Sequence, residues 1–234
     1  MFYYANIFQA MMHGPHLVFD FSFEEHLTEK ELKDLMRQIY NSHGMNKLAK
    51  EPFHFHFCSI KQSSSTSQKL LKAFPNMAEI PITVSEQSYL DLYPREKLVY
   101  LSPNATEVMA NFDHDLVYII GAIVDKAVET PLTMAKAKRE KIRMMKFPLD
   151  RYVKWSSGSK ALALNHVVDI LLHLKTSQNW NDALTKCLPK RKFDPTVSEK
   201  ILVKNNNNFL KKKTNGYGSY VKRAYPSLSK DTDT

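Results

Sequence analysis

The chain has 234 residues, with 33 lysines and arginines against 24 aspartates and glutamates, a formal charge of +9. That length supports one sizeable core, and no run is apolar for long enough to read as a membrane-spanning helix. Its two cysteines, Cys58 and Cys187, offer neither a disulfide framework nor metal-ligand spacing, as expected in a reducing compartment. The charge is uneven: residues 190–234 hold 11 basic and 4 acidic residues, leaving 22 against 20 for residues 1–189. A basic balance favours a polyanionic partner. Nucleic acid fits better than an anionic membrane, because no amphipathic helix joins a basic face to a broad apolar one.

Met1 to Met12 is apolar and aromatic, without the basic or Arg/Ser-rich character of a presequence. Leu17 to Phe23 reads as the first strand. Thr28 and Glu31 form a capping-box signature opening a helix with Leu32, Leu35, Met36 and Ile39 on one face, which Gly44 is expected to stop. Phe53 to Ile60 alternates Phe with His or Cys and reads as a second strand, followed by a Ser-rich loop and a short helix near Leu70 to Phe74. Leu98 to Leu101 is a short strand, with a helix expected over Ala105 to Asn111. The run Leu116 to Val124 is the next strand. Helices are expected over Leu132 to Met145, Leu164 to Lys175 and Trp180 to Cys187. Strands alternating with helices predict an α/β fold, a mainly parallel sheet covered on both faces. Beyond Lys192 the homopolymer Asn205 to Asn208, Lys211-Lys212-Lys213 and a Gly/Ser/Tyr stretch lack aliphatic side chains. Residues 193–234 are therefore expected to be a disordered basic tail.

Asp125 is the leading candidate for chemistry. It ends an apolar, β-branched run, where a parallel sheet places its working groups. The residues alone leave a second role open, capping the next helix or pairing with Lys126. From Lys136 to Lys146 six basic residues face one acid, Glu140, and 136, 139, 143 and 146 fall on a helical stripe that could follow a phosphate backbone or simply be a solvated face. His54 and His56 share a strand face, but no third ligand is suitably spaced, so no metal site is expected. Phe112-Asp113-His114-Asp115 reads as a structural turn. Asn104-Ala105-Thr106 reads as a helix start rather than a glycosylation site.

Several of these pieces recur together in one family. Leu17-Val18-Phe19-Asp20, Pro52-Phe53-His54, Val99-Tyr100-Leu101-Ser102, Phe112-Asp113-His114, Gly121 to Lys126 and Ala135 to Arg139 stand in order, followed by Phe147-Pro148-Leu149 and Pro189-Lys190-Arg191-Lys192. From about His16 to Lys192 the chain resembles the tRNA position-9 N1-purine methyltransferases of the SPOUT class. The runs 112–114 and 170–175 look like its mitochondrial branch, the subunit of protein-only ribonuclease P. The resemblance implies a SPOUT domain over residues 16–192, whose C-terminal part is threaded as a trefoil knot. Three loops would then clasp S-adenosylmethionine, after Leu101, after Val124 and around Phe147 to Leu149. It implies cofactor contacts at Leu101, Gly121, Lys126, Thr133, Leu149 and Leu162, and Asp125 as the catalytic proton acceptor. Gln38 and Asn46 match positions near the target nucleotide, and the basic stripe adds Lys136, Arg139, Arg143 and Lys146 as expected RNA contacts on its charge and spacing alone. Thr133 departs from the cysteine of some relatives.

The same resemblance implies tRNA and its precursors as substrates, a short-chain dehydrogenase subunit and a metallonuclease subunit as partners, and the mitochondrial matrix as location. Residues 1–15 would be the end of a longer extension, with the presequence missing. Two alternatives stay open: a non-catalytic tRNA-binding platform for the nuclease, and a stand-alone guanine methyltransferase of the cytosol or nucleus.

Overall fold

A computed structural model describes residues 9–75, 82–124, 131–153 and 160–189. Strand β1 (His16–Asp20) leads through a turn to helix α1 (Glu29–Leu48), then β2 (His54–Cys58), α2 (Ser65–Ala73), β3 (Ile82–Val84) and the short α3 (Tyr89–Leu92). There follow β4 (Leu98–Leu101), β5 (Val117–Gly121), α4 (Leu132–Arg139), β6 (Arg143–Met145), α5 (Leu149–Tyr152), α6 (Leu164–Ser177) and α7 (Trp180–Cys187). The six strands are ordered β3-β2-β1-β5-β4-β6 and every neighbouring pair is parallel.

Burial on both faces explains why the central strands are continuously apolar. One face carries Leu17, Phe19, Phe55, Phe57, Val99, Leu101, Tyr118 and Ile120 against α1, α2, α6 and α7. The other carries Val18, Cys58, Leu98, Tyr100, Val117 and Ile119 against Tyr89 of α3 and Ala137 of α4. Phe19 lies edge-on to Phe55 and Phe57, with ring centroids at 4.9 and 5.1 Å. Each such buried ring contributes about 2 kcal/mol by area. Register brings the strand ends into line: Asp20 is level with Gly121, and Leu101 with Ile120 and Met145. The C-terminal ends of β1, β4, β5 and β6 thus form one rim.

Helix α1 starts as the sequence predicts, with Thr28 Oγ1 accepting from the Glu31 amide at 3.3 Å and Glu31 Oε2 accepting from the Thr28 amide at 3.0 Å. It does not stop at Gly44. The helix runs on to Leu48 because Asn46, two residues further, is bonded at both ends of its amide to Phe53, donating to the carbonyl at 2.9 Å and accepting from N–H at 2.8 Å. The Leu132 to Met145 helix is also shorter than expected. It ends at Arg139, Lys141 takes a left-handed φ of 54°, and Arg143 to Met145 pair with β4 as an edge strand. Ala105 to Asn111 is not helical; Met109 N–H donates to the Lys146 carbonyl and Lys146 N–H to the Glu107 carbonyl, both at 2.9 Å. Pairing wins over helix propensity in both segments, 143–145 on the edge of β4 and 107–109 beside Lys146 at the end of β6.

Among the described residues no helix is long and apolar enough to cross a membrane. Asp125, Lys126 and the tail 193–234 lie outside the described residues, as does the rest of 125–130 in the loop after Val124.

Candidate active site

A cavity of about 350 Å³ opens at the C-terminal rim of β4, β5 and β6. Its walls are the residues that follow these three strands, completed by 160–164 before and within α6. Leu101, Gly121, Thr133, Leu149 and Leu162, five of the six residues expected to touch a cofactor, all line it. The sixth, Lys126, is outside the described residues, as is Asp125, but Ile123 and Val124 immediately before them are on the wall.

The walls are held from behind. Ser102 Oγ and Thr133 Oγ1 lie 2.9 Å apart, tying the loop after β4 to the start of α4. Phe147 packs on Trp180 with centroids at 5.1 Å, and the Trp180 indole donates to the Ala110 carbonyl at 2.7 Å. Gln38 also lines the cavity, where its Oε1 accepts from the Leu164 amide at 2.8 Å and so links α1 to the first turn of α6.

Gly121 sits at a tight junction between strand and helix. A Cβ there would stand 2.8 Å from Thr133 Cγ2, 3.2 Å from the Tyr100 hydroxyl and 3.3 Å from a Phe23 ring carbon. The glycine therefore lets α4 approach the end of β5.

Beneath this junction is a buried polar network. Asp20 Oδ2 accepts from the Tyr100 hydroxyl at 2.8 Å and from Lys136 Nζ at 2.6 Å, while Oδ1 accepts from the Ser22 amide at 3.1 Å. Lys136 Nζ also donates to Ser22 Oγ at 2.5 Å and lies 5.0 Å from the Tyr89 ring centroid. The Tyr89 hydroxyl donates to Glu140. Burial, then the Asp20 charge, pushes the Tyr100 phenol well above its usual range, so it stays a donor at physiological pH. Burial and Asp20 likewise push the Cys58 thiol up to about 12.

This arrangement corrects the expected RNA surface. Lys136 is 7% exposed and faces Asp20, so it is not part of a phosphate-facing stripe. Asn46 is 2% exposed, with its amide engaged by Phe53, and cannot read a base edge. Arg143 is on an edge strand, where its guanidinium grips Glu107 through Nε at 3.1 Å and Nη2 at 2.5 Å. Arg139 is exposed on α4 and Lys146 lines the cavity. The surface cations of this region are therefore Lys138, Arg139, Lys141 and Arg143. The sequence offered one clue to Asp20, which ends an apolar strand as Asp125 does. It offered none to its partner 116 positions away.

His54 and His56 are engaged by Thr83 and Tyr93 rather than grouped as ligands, with ring-nitrogen to oxygen distances of 2.8 and 2.7 Å. Around Phe112 the expected turn is present: Asp113 Oδ1 accepts from the Asp115 amide at 2.9 Å, and Gln178 bonds both the N–H and carbonyl of Phe112 at 3.0 Å.

Comparison with known proteins places this geometry. Residues 7–193 match the family model described as tRNA (guanine(9)-N(1))-methyltransferase TRM10/TRM10A. The chain is 38% identical over 185 residues to tRNA methyltransferase 10 homolog C of Homo sapiens, covering 79% of this chain and 46% of that protein. It is also 38% identical over 187 residues to the mitochondrial ribonuclease P protein 1 homolog of Drosophila melanogaster, covering 79% and 42%. The chain thus spans less than half the length of these curated relatives. Among solved structures, the spTrm10–SAH complex superposes with a TM-score of 0.66 at 29% identity, covering 74% of this chain and 94% of that one. A dual-specific Trm10 from Thermococcus kodakaraensis shares the fold, with a TM-score of 0.55 at 19% identity.

Proposed function

From the premise that this chain belongs to the TRM10 family of SPOUT-fold tRNA methyltransferases, we propose that it methylates N1 of the purine at position 9 of tRNA. The methyl donor would be S-adenosylmethionine bound in the rim cavity. The observation that carries this reading is the convergence of Leu101, Gly121, Thr133, Leu149 and Leu162 on that single cavity. Its volume of about 350 Å³ falls within the usual range for small-molecule sites, about 300–1,000 Å³. Leu101, Ile120, Leu149 and Leu162 give it aliphatic walls suited to an adenine ring, and the hydroxyl pair of Ser102 and Thr133 adds polar groups.

When bound, S-adenosylmethionine supplies an electrophilic methyl group on a sulfonium. The chain's own task is to orient the base and manage its proton. N1 of guanine carries a proton at neutral pH, whereas N1 of adenine presents a lone pair. Guanine therefore needs an acceptor, the role we assign to Asp125, while adenine mainly needs positioning. An unperturbed aspartate, with a pKa of about 3.9, is a weak base. The role therefore requires that the site make the carboxylate a stronger base by burial or stabilise the deprotonated ring electrostatically. Gln38 at the same cavity, with its Oε1 already engaged, leaves its amide N–H groups for a base edge.

The mitochondrial relative in Drosophila melanogaster, named for ribonuclease P protein 1, supports a finer reading. In it the chain works in mitochondria as the methyltransferase subunit of a protein-only ribonuclease P, beside a short-chain dehydrogenase and a metallonuclease.

The test is methyl transfer from labelled S-adenosylmethionine to paired tRNAs carrying A or G at position 9, with wild type and Asp125→Asn and with the dehydrogenase added. Transfer to G9 that collapses in the variant, with A9 less affected, is expected. Intact tRNA binding with no transfer to either tRNA would overturn the enzymatic reading in favour of a tRNA-binding platform.

A further inference from the structure

The sequence predicts no metal site, yet the hairpin of α6 and α7 gathers three ligand-type side chains that the cavity does not use. Asp169 and His173 are one turn apart on α6, and Cys187 is the last residue of α7. His173 Nδ1 lies 3.4 Å from Asp169 Oδ1 and 3.3 Å from Cys187 Sγ. The thiol also hydrogen-bonds Asp169, and all three ligand atoms fall within 4.8 Å of one another. Tetrahedral zinc, with Zn–N near 2.0 Å, Zn–O near 2.1 Å and Zn–S near 2.3 Å, requires N···O of about 3.4 Å and N···S of about 3.5 Å. The hairpin thus already has two edges of that tetrahedron to within a few tenths of an ångström.

We propose that Asp169, His173 and Cys187 form a zinc site that staples α6 to α7. The donor set of thiolate, imidazole and carboxylate suits borderline-soft zinc better than magnesium or calcium. Cys187 is 6% exposed, whereas the side chains of His173 and Asp169 are 40% and 25% exposed, which leaves an entry path and a fourth position for water. The supporting shell is also built. His166 Nδ1 is 3.2 Å from the Cys187 carbonyl, and Gln178 fixes the hairpin turn through both backbone groups of Phe112. The staple would bear on the methyl-transfer cavity indirectly, because Leu164 and Val167 of α6 line it and Trp180 of α7 backs Phe147. Metal binding exchanges the thiol proton for the metal, so affinity rises with pH.

The test is titration of metal-free, reduced full-length chain with cobalt(II), followed by displacement with zinc. One equivalent of cobalt should give thiolate-to-metal charge transfer and intense tetrahedral d–d bands, which zinc abolishes. Cys187→Ser should lose the charge-transfer band, while Cys58→Ser keeps it. Asp169→Asn, which is isosteric, should weaken binding by about tenfold or more. Far-ultraviolet circular dichroism of each variant separates ligand loss from unfolding. Absence of charge transfer in folded wild type, or its survival in Cys187→Ser, would overturn the proposal.

Discussion

Gly121→Ala tests whether the end of β5 is shaped by packing against α4 or only by access of a ligand. The new methyl would stand 2.8 Å from Thr133 Cγ2, and Thr133 cannot swing away freely because its hydroxyl is bonded to Ser102 at 2.9 Å. The Tyr100 hydroxyl at 3.2 Å and Phe23 at 3.3 Å close the other directions, with Tyr100 itself fixed on Asp20. Overpacking of this kind costs about 1–3 kcal/mol. For a chain of this size that lowers Tm by roughly 2–10 °C. Thr133→Ser removes the clashing methyl and keeps the hydroxyl. Alone it should cost about 0.5–1 kcal/mol. Combined with Gly121→Ala it should recover stability, with a favourable coupling of about 1 kcal/mol or more. Urea unfolding of ligand-free wild type, both single variants and the double variant measures this cycle. Additive effects, or an unchanged ligand-free stability in Gly121→Ala, would refute the packing account.

Further predictions concern the buried network, the histidines and α1. Lys136→Met leaves Asp20 buried without its cation and should cost about 3–5 kcal/mol, against less than about 0.5 kcal/mol for the exposed Arg139→Gln; equal small effects in thermal unfolding would place Lys136 on the surface after all. Burial first, then neighbouring histidines, pushes His54 and His56 down to about 4. They bind protons more readily unfolded than folded, so their contribution is present above the usual histidine pKa near 6.5 and is lost as pH falls from there towards 4. The loss approaches about 3 kcal/mol for each if they titrate independently. His54→Gln should flatten that slope between pH 6.5 and 4.5, and a flat wild-type profile would contradict it. Gly44 lies inside α1 with nothing within 4 Å of an added Cβ. Gly44→Ala should therefore stabilise the chain by about 0.5–1 kcal/mol; a loss in the same unfolding assay would argue against the continuous helix.

Much of the architecture was legible because its cause is local. Central strands β1, β2, β4 and β5 are buried on both faces, so their apolar runs survive as a signal in the chain itself. Edge strand β6 was hidden in a basic run with helical spacing, since only the open edge of β4 makes an extended Arg143 to Met145 favourable. Three-residue β3 is too short to carry a pattern, and its Val84 is exposed. Gly44 misled because a glycine marks a helix end only when nothing beyond it holds the helix, and Asn46 does hold it. At the site, family resemblance found the cavity-lining residues. Lys136, read from the basic stripe, and Asn46, read from the resemblance, were expected as RNA contacts because residue type and spacing say nothing of burial. Asp20 with Lys136, and Asp169 with Cys187, are pairings that only the closed fold creates.

The central claim is that the rim cavity binds the methyl donor, and calorimetric titration with S-adenosylhomocysteine tests it most directly. Wild type should bind one equivalent, and Leu162→Arg, which puts a charged chain into a partly exposed wall position, should bind at least about tenfold more weakly while remaining folded by circular dichroism. Equal binding by wild type and a folded Leu162→Arg, or no binding by folded wild type, would contradict the account.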